Sequence, residues 1–411
     1  MASNLLRIAS DRARKRTRAF DPRVWLLAIG AFAISTDLYI VSGLLPALGR
    51  DFGVEVVSAT LVVTSYALTY ALAAPFLAAC TARLPGRLVA AAAILLYGIG
   101  NVFCALAPSL GALIVARIAA GVAAGMYAPA AYALAASLAA DGRKGAALSV
   151  VTFGLSLATV FGVPIGNQIG HWYGWRGAFA FIVALSVAAA VALALLMPRG
   201  NAPAASVAVP LRARFAPLAH GRTLLALLPN LVWYAGILGF YSFLGASFTV
   251  QHFSASAVST IFLVYGIGAL IGSRIGGLLA DRFGAARVIA ITLLIATADL
   301  AAFEYATASE VRSAIAVFFL GLTGWSLFPA QQARLVAIAD PSNVQVVLAL
   351  NSTALYLGVA SGTGLGAALL SRGVGVLELH WFGPALLLAA LAIFGASCAV
   401  EGGRRASHAR R

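Results

Sequence analysis

Twelve apolar stretches follow one another along this chain, at 24–48, 57–80, 88–107, 110–139, 145–170, 177–197, 223–250, 257–280, 288–307, 311–337, 345–370 and 378–400. Each is long enough to cross a bilayer core of about 30 Å, which takes about 20 helical residues. No water is available there to satisfy backbone polar groups, so each segment must close its own hydrogen bonds as a helix. Composition agrees: 62% of residues are hydrophobic, 10% are charged and mean hydropathy is +0.95, far from water-soluble averages. The chain reads as an all-α membrane protein with twelve transmembrane helices.

The twelve are two copies of one design. A shift of 200 residues lays Gly121 on Gly321, Pro129 on Pro329, Gly162 on Gly362 and Gly166 on Gly366, and a shift of 199 lays 82–85 on 281–284. Parallel repeats related by an axis along the membrane normal are a known way to build a transporter around a central site. The expected organisation is a basic N-terminal segment 1–23, a six-helix bundle 24–198, a linker 199–222, a second six-helix bundle 223–400 and a tail 401–411. Pro198, Pro203, Pro210 and Pro217 mark the linker as the one long polar interruption.

A net charge of +15 raises the question of nucleic acid, but the basic residues sort by membrane side rather than forming a patch. With the N-terminus inside, the cytoplasmic segments hold the run Arg12 to Arg18, then Arg83, Arg87, Arg143, Lys144, Arg199, Arg212, Arg214, Arg222, Arg282, Arg287 and the basic tail. Outside loops hold only Arg50, Arg176, Arg312 and Arg372. This positive-inside bias puts both termini in the cytoplasm. The first apolar stretch is too long for a signal peptide and lacks a small-residue cleavage site, so it is expected to remain as the first helix. Cys80, Cys104 and Cys398 have no disulfide or metal spacing, and no cofactor is expected. With five His residues in no metal spacing and no nucleophile constellation, the chain does not read as an enzyme.

Ionisable groups at membrane depth cost about 2.5–3.5 kcal/mol each on insertion scales, so each needs a reason. Asp37 lies 13 residues after Val24, about 20 Å along a helix. Desolvation favours a carboxylate's protonated form and a nearby cation its ionised form, so the balance of the two lets a buried carboxylate serve as a proton-coupling group. The competing reading is a structural carboxylate permanently paired with Arg. Arg117, on the fourth stretch, lies at a depth from which its side chain can reach Asp37 if the helices adjoin. It either tunes Asp37, binds an anionic substrate group, or bonds helix to helix. Asp299 is a possible second proton site; Arg274 and Arg334 are expected at the interface or paired with loop acids such as Asp281 and Asp340. A mid-depth set of Tyr39, Tyr66, Tyr70, Tyr127, Tyr132, Trp233, Tyr234, Tyr241, Trp325, Gln331, Gln332, Asn351 and Tyr356 suggests a substrate cavity, against packing and interfacial aromatic belts.

The run Ser35-Thr-Asp37-Leu-Tyr-Ile-Val-Ser-Gly43-Leu-Leu-Pro46 resembles the first-helix signature of the drug:proton antiporters of the major facilitator superfamily. Within that group it is similar to the bacterial sugar-efflux and chloramphenicol-resistance type permeases, over about residues 20–400. Arg117-Ile-Ala-Ala-Gly121 resembles the family's Arg-x-x-Gln-Gly pattern, associated with proton transfer, with Ala120 in place of Gln. Gly154, Gly162, Pro164 and Gly166 resemble the antiporters' fifth-helix motif, which acts through packing. Gly277, Asp281, Arg282, Gly284 and Arg287 keep the superfamily loop signature, degraded in the first half to Thr81-Ala-Arg-Leu-Pro-Gly-Arg87. Gly362 and Gly366 repeat the fifth-helix glycines.

The resemblance implies a monomeric secondary transporter in a bacterial inner membrane that exports a small organic solute or drug in exchange for protons by alternating access. Its partners are the solute, protons and lipid, with no nucleic acid. Rival readings are export of an endogenous metabolite such as a siderophore, sugar or nucleoside, proton-coupled import, and a non-transporting scaffold or sensor.

Overall fold

The computed structural model describes residues 21–81, 84–139, 144–197, 221–339 and 344–409, without the side chains of 144–146, 344–345 and 402–409. The expected N-terminal basic run, most of the linker, Arg83 and Asp340 lie outside the described residues. Fifteen α-helices occur among those described: α1 Val24–Phe52, α2 Val56–Ala59, α3 Leu61–Cys80, α4 Gly86–Ala105, α5 Leu110–Ser137, α6 Lys144–Leu157, α7 Val163–Leu196, α8 Gly221–Tyr241, α9 Leu244–Val250, α10 Ala255–Phe283, α11 Ala285–Ala301, α12 Phe303–Ala306, α13 Glu310–Ile338, α14 Val344–Leu370 and α15 Phe382–Ala409. A π-helical turn, Ala158–Gly162, joins α6 to α7, and a 3-10 segment, Val376–Trp381, precedes α15.

Ten segments are long and apolar enough to cross a membrane. One of them, 50 residues long, counts as two crossings because it doubles back at Gly174, whose φ of 73° is open to glycine at little cost. A Cβ on Gly166 or Gly170 would lie 3.6 Å from Phe181 or Ala178, so the arms run side by side. The 17-residue α11 with α12 supplies the remaining crossing. The result is twelve transmembrane helices in two bundles, α1–α7 and α8–α15. We call the face at which α1 begins proximal and the opposite face distal. Ser109, Ser254 and Ser309 cap α5, α10 and α13 at the distal face by accepting backbone N–H bonds at 3.1–3.3 Å.

The repeat holds at the level of single contacts. Gly121 sits against the Tyr66 carbonyl and Gly321 against the Tyr265 carbonyl. Tyr127 Oη donates to Leu27 O at 2.7 Å, and at the carbonyl 199 residues along, Ala226 O, a residue one turn further down the matching helix takes its place, Gln331 Nε2 donating at 2.8 Å. Burial separates inner helices from outer ones: the apolar window of α1 is 78% buried, that of α15 only 33%. Side chains such as Phe103, Val115, Leu195 and Val311 are exposed on the outside of the bundles, a belt too apolar for water and suited to lipid.

The halves meet from mid-depth to the distal face. Gly245 of α9 lies against Ser42 and Gly43 of α1, and Gly266 of α10 lies against Thr159 and Val160 of the π turn. Helix α14 packs along α3 and α2. The most buried helices, α1 and α8–α9, therefore line the joint between the bundles.

Candidate functional site: a buried ion pair beside an aromatic seam

Asp37 stands in the middle of α1 with no solvent exposure. Arg117 of α5 reaches it and donates from Nη1 to both carboxylate oxygens at 2.7 Å. Tyr97 of α4 donates its hydroxyl to Asp37 Oδ2 at 2.6 Å. Arg117 Nε donates to Val62 O at 3.2 Å, and the guanidinium lies 4.1 Å over the Tyr66 ring and 5.7 Å from that of Phe179. Charge-assisted bonds and a desolvated cation–π contact together offset the burial of two charges. Five helices of the first bundle, α1, α3, α4, α5 and α7, thus converge on one neutral, sealed pair.

Tyr97 was missing from the sequence candidates. Its signal was available: Tyr97, Asn101 and Cys104 recur at helical spacing, and all three are fully buried. Asn101 donates to Tyr97 O at 3.0 Å, so this stripe holds the phenol in place.

The glycine motif positions the same carboxylate. Gly154, Gly162 and Gly166 face Ala28, Thr36 and Ile40 of α1, and any Cβ at these glycines would overlap α1. Thr36 is the residue next to Asp37. The π turn ends just before Pro164, which supplies no backbone N–H to an α-helical ladder. In the second bundle Gly362 lies against Ala235 and Gly366 against Phe243 of the α8–α9 crossing.

Several aromatic candidates form the seam between the bundles. Tyr39 of α1 meets Tyr241 edge-on at 5.4 Å and Trp325 at 6.1 Å, and Tyr241 Oη donates to Tyr39 O at 3.4 Å. Tyr241 also packs on Tyr265, at 4.6 Å. Tyr70 of α3 stacks on Tyr356 of α14 at 3.6 Å. Other candidates lie within one bundle: Tyr127 bonds α5 to α1, Tyr132 meets Thr152 at 3.3 Å, and Trp233 packs on Tyr234. Gln331 ties α13 to α8, and Asn230, absent from the sequence set, donates to Asn351 O at 2.9 Å. The remaining amide atoms of Asn230, Gln331 and Asn351, and the Trp233 indole N–H, are buried without partners. Gln332 is half-buried.

At the proximal face, Gly284 takes φ 87° to turn α10 into α11, and a Cβ on Gly277 would lie 3.8 Å from Pro329. Asp281, Arg282 and Arg287 are exposed, and Asp281 forms no ion pair among the described residues. Arg334 departs from expectation: it is buried, not interfacial, and donates to Glu401 at 2.6 Å and to Ser397 at 2.5 Å on α15. Helix α15 runs on past the expected span and carries Glu401 back over α13. Asp299 is partly buried with one oxygen unpartnered, whereas Glu304 is exposed.

Two six-helix bundles related by an internal repeat, joined along helices that carry a buried charge pair, define a secondary-transporter architecture rather than an enzyme. The Major Facilitator Superfamily profile matches residues 27–253 and again 244–406. The chain belongs to that superfamily and is a multi-pass membrane transporter. It is 28% identical over 379 residues to the uncharacterized transporter YbcL of Bacillus subtilis, covering 90% of this chain and 95% of that protein. It is also 28% identical over 372 residues to a chloramphenicol resistance protein of Streptomyces lividans, covering 90% and 94%. A crystal structure of a bacterial homolog of the human lysosomal transporter Spinster, inward-facing and unoccupied, superposes with a TM-score of 0.66 at 17% identity, covering 92% of this chain and 95% of that one. That likeness concerns the fold.

Proposed function

We propose that this transporter exports a small organic solute across a bacterial cytoplasmic membrane in exchange for protons, with the proximal face and both termini in the cytoplasm. The observation that carries the proposal is the Asp37–Arg117 pair, sealed at mid-depth on the helix that joins the bundles. A charge pair of this kind is costly in a membrane and is retained for function. When Asp37 takes a proton, its attraction to Arg117 falls and the site gains a net positive charge. That change alters both its packing and its tolerance of a solute nearby, so proton and solute favour different states of α1.

Because α1 is locked to α6–α7 by the glycine stripe and touches α9 and Trp325 across the seam, a shift at Asp37 is felt where the halves rock. The aromatic seam supplies flat, largely uncharged surfaces for an organic ring. The similarity to a chloramphenicol resistance protein makes chloramphenicol the first solute to try, within a panel of drugs, dyes, sugars and nucleosides. Expression should lower cellular accumulation of the transported compound, and everted vesicles should take it up only while a pH gradient stands. Raised accumulation in cells would reverse the direction. Undiminished gradient-driven uptake by Asp37→Asn would remove Asp37 from the mechanism.

A further inference from the structure

We infer that protons reach Asp37 through a relay of phenol hydroxyls, Tyr97 and then Tyr66, whose mouth lies at Tyr356 on the other bundle. The inference rests on the proton-coupling reading above and specifies its route.

Asp37 has no exposed atom, so a proton must come through its neighbours. The groups facing it are Arg117 from α5, Tyr97 and Cys104 from α4, Tyr66 from α3 and the apolar Phe179 from α7. Arginine only donates and stays charged, so it cannot pass a proton on, whereas a phenol both donates and accepts. Tyr97 is the one phenol bonded to the carboxylate among the described residues. Tyr66, fully buried with its ring 4.1 Å under the Arg117 guanidinium, is the neighbouring phenol, and its hydroxyl lacks a well-formed hydrogen bond. An unpartnered buried hydroxyl is costly unless it serves another state. One turn along α3, Tyr70 stacks on Tyr356, which is partly exposed.

In the relay, a hydronium admitted where Tyr356 covers Tyr70 gives its proton to the Tyr66 oxygen as the Tyr66 proton passes to Tyr97 and the Tyr97 proton passes to Asp37 Oδ2. Three O–H bonds form, three break, and both phenols end neutral. The Tyr70–Tyr356 stack bridges the two bundles. Tyr66 is fully buried while the halves meet here, so water reaches it only when that stack parts, which ties proton access to the transport cycle.

The test is time-resolved infrared spectroscopy of the full chain in lipid after a pH jump, reading the carboxylic-acid band that Asp37→Asn removes. Tyr66→Phe leaves every hydrogen bond to Asp37 intact, so its protonation should slow tenfold or more with an unchanged titration midpoint, which a merely structural role would not produce. Tyr97→Phe should slow it too and also move the midpoint. Wild-type rates in both variants would overturn the relay while leaving Asp37 as the coupling group. If Asp37→Asn removes no titrating band, the proton-coupling reading itself fails.

Discussion

Replacing Asp37 by Asn should leave Arg117 charged, buried and poorly paired. At the observed 2.7 Å and an effective dielectric of about 20, the pair's attraction is about 6 kcal/mol before desolvation is subtracted. Breaking a buried pair from one side costs about 3–5 kcal/mol. The Val62 carbonyl and the Tyr66 ring recover only part of this. We therefore expect Asp37→Asn to lose about 3 kcal/mol or more in an unfolding titration in mixed detergent micelles. The double variant Asp37→Asn/Arg117→Met removes the stranded charge and should be more stable than Asp37→Asn alone. A cycle through both singles and the double should then give a coupling energy of about 3 kcal/mol. Additive costs, with the double variant worse than either single, would refute the claim that the two charges are one energetic unit.

Gly162→Val puts a side chain onto Thr36, whereas Gly364, on the same crossing of the other bundle, faces open space. Gly162→Val should lose folded yield, with about 1–3 kcal/mol or more of overpacking, and Gly364→Val should purify as wild type. Glu401→Gln strips Arg334 of its carboxylate and should cost about 2–3 kcal/mol in the same unfolding titration. Asp281→Asn, exposed and without an ion pair among the described residues, should change the unfolding midpoint by no more than about 0.5 kcal/mol; any loss of transport in that variant reports a different conformational state.

Much of the fold could be read from hydropathy because the bilayer permits few solutions: a long apolar stretch must be a helix, and a repeat of about 200 residues divides twelve of them into two like bundles. The reading loosened where local geometry decides. A six-residue gap between the fifth and sixth spans is in fact a hairpin turned by the single residue Gly174. Asp37 and Arg117 stood out because charge at membrane depth is rare and expensive. Tyr97 did not, because a phenol in an apolar helix looks like packing until its hydroxyl is found on a carboxylate. Glu401 falls just beyond the last apolar stretch, so hydropathy offers Arg334 only the interface or loop acids, whereas its partner lies on α15. The fifth-helix glycines were legible as close packing, but only the fold joins them to Thr36, beside the carboxylate they hold in place.

The central claim is that solute movement and proton movement are linked through Asp37. The direct measurement is proton flux in proteoliposomes with a pH-sensitive dye trapped inside, after a solute gradient is imposed across the membrane. The wild-type chain should drive protons against the direction of solute flow, and Asp37→Asn should abolish the proton signal while solute exchange across equal concentrations persists. Solute flow in the wild type without any proton signal would contradict the account.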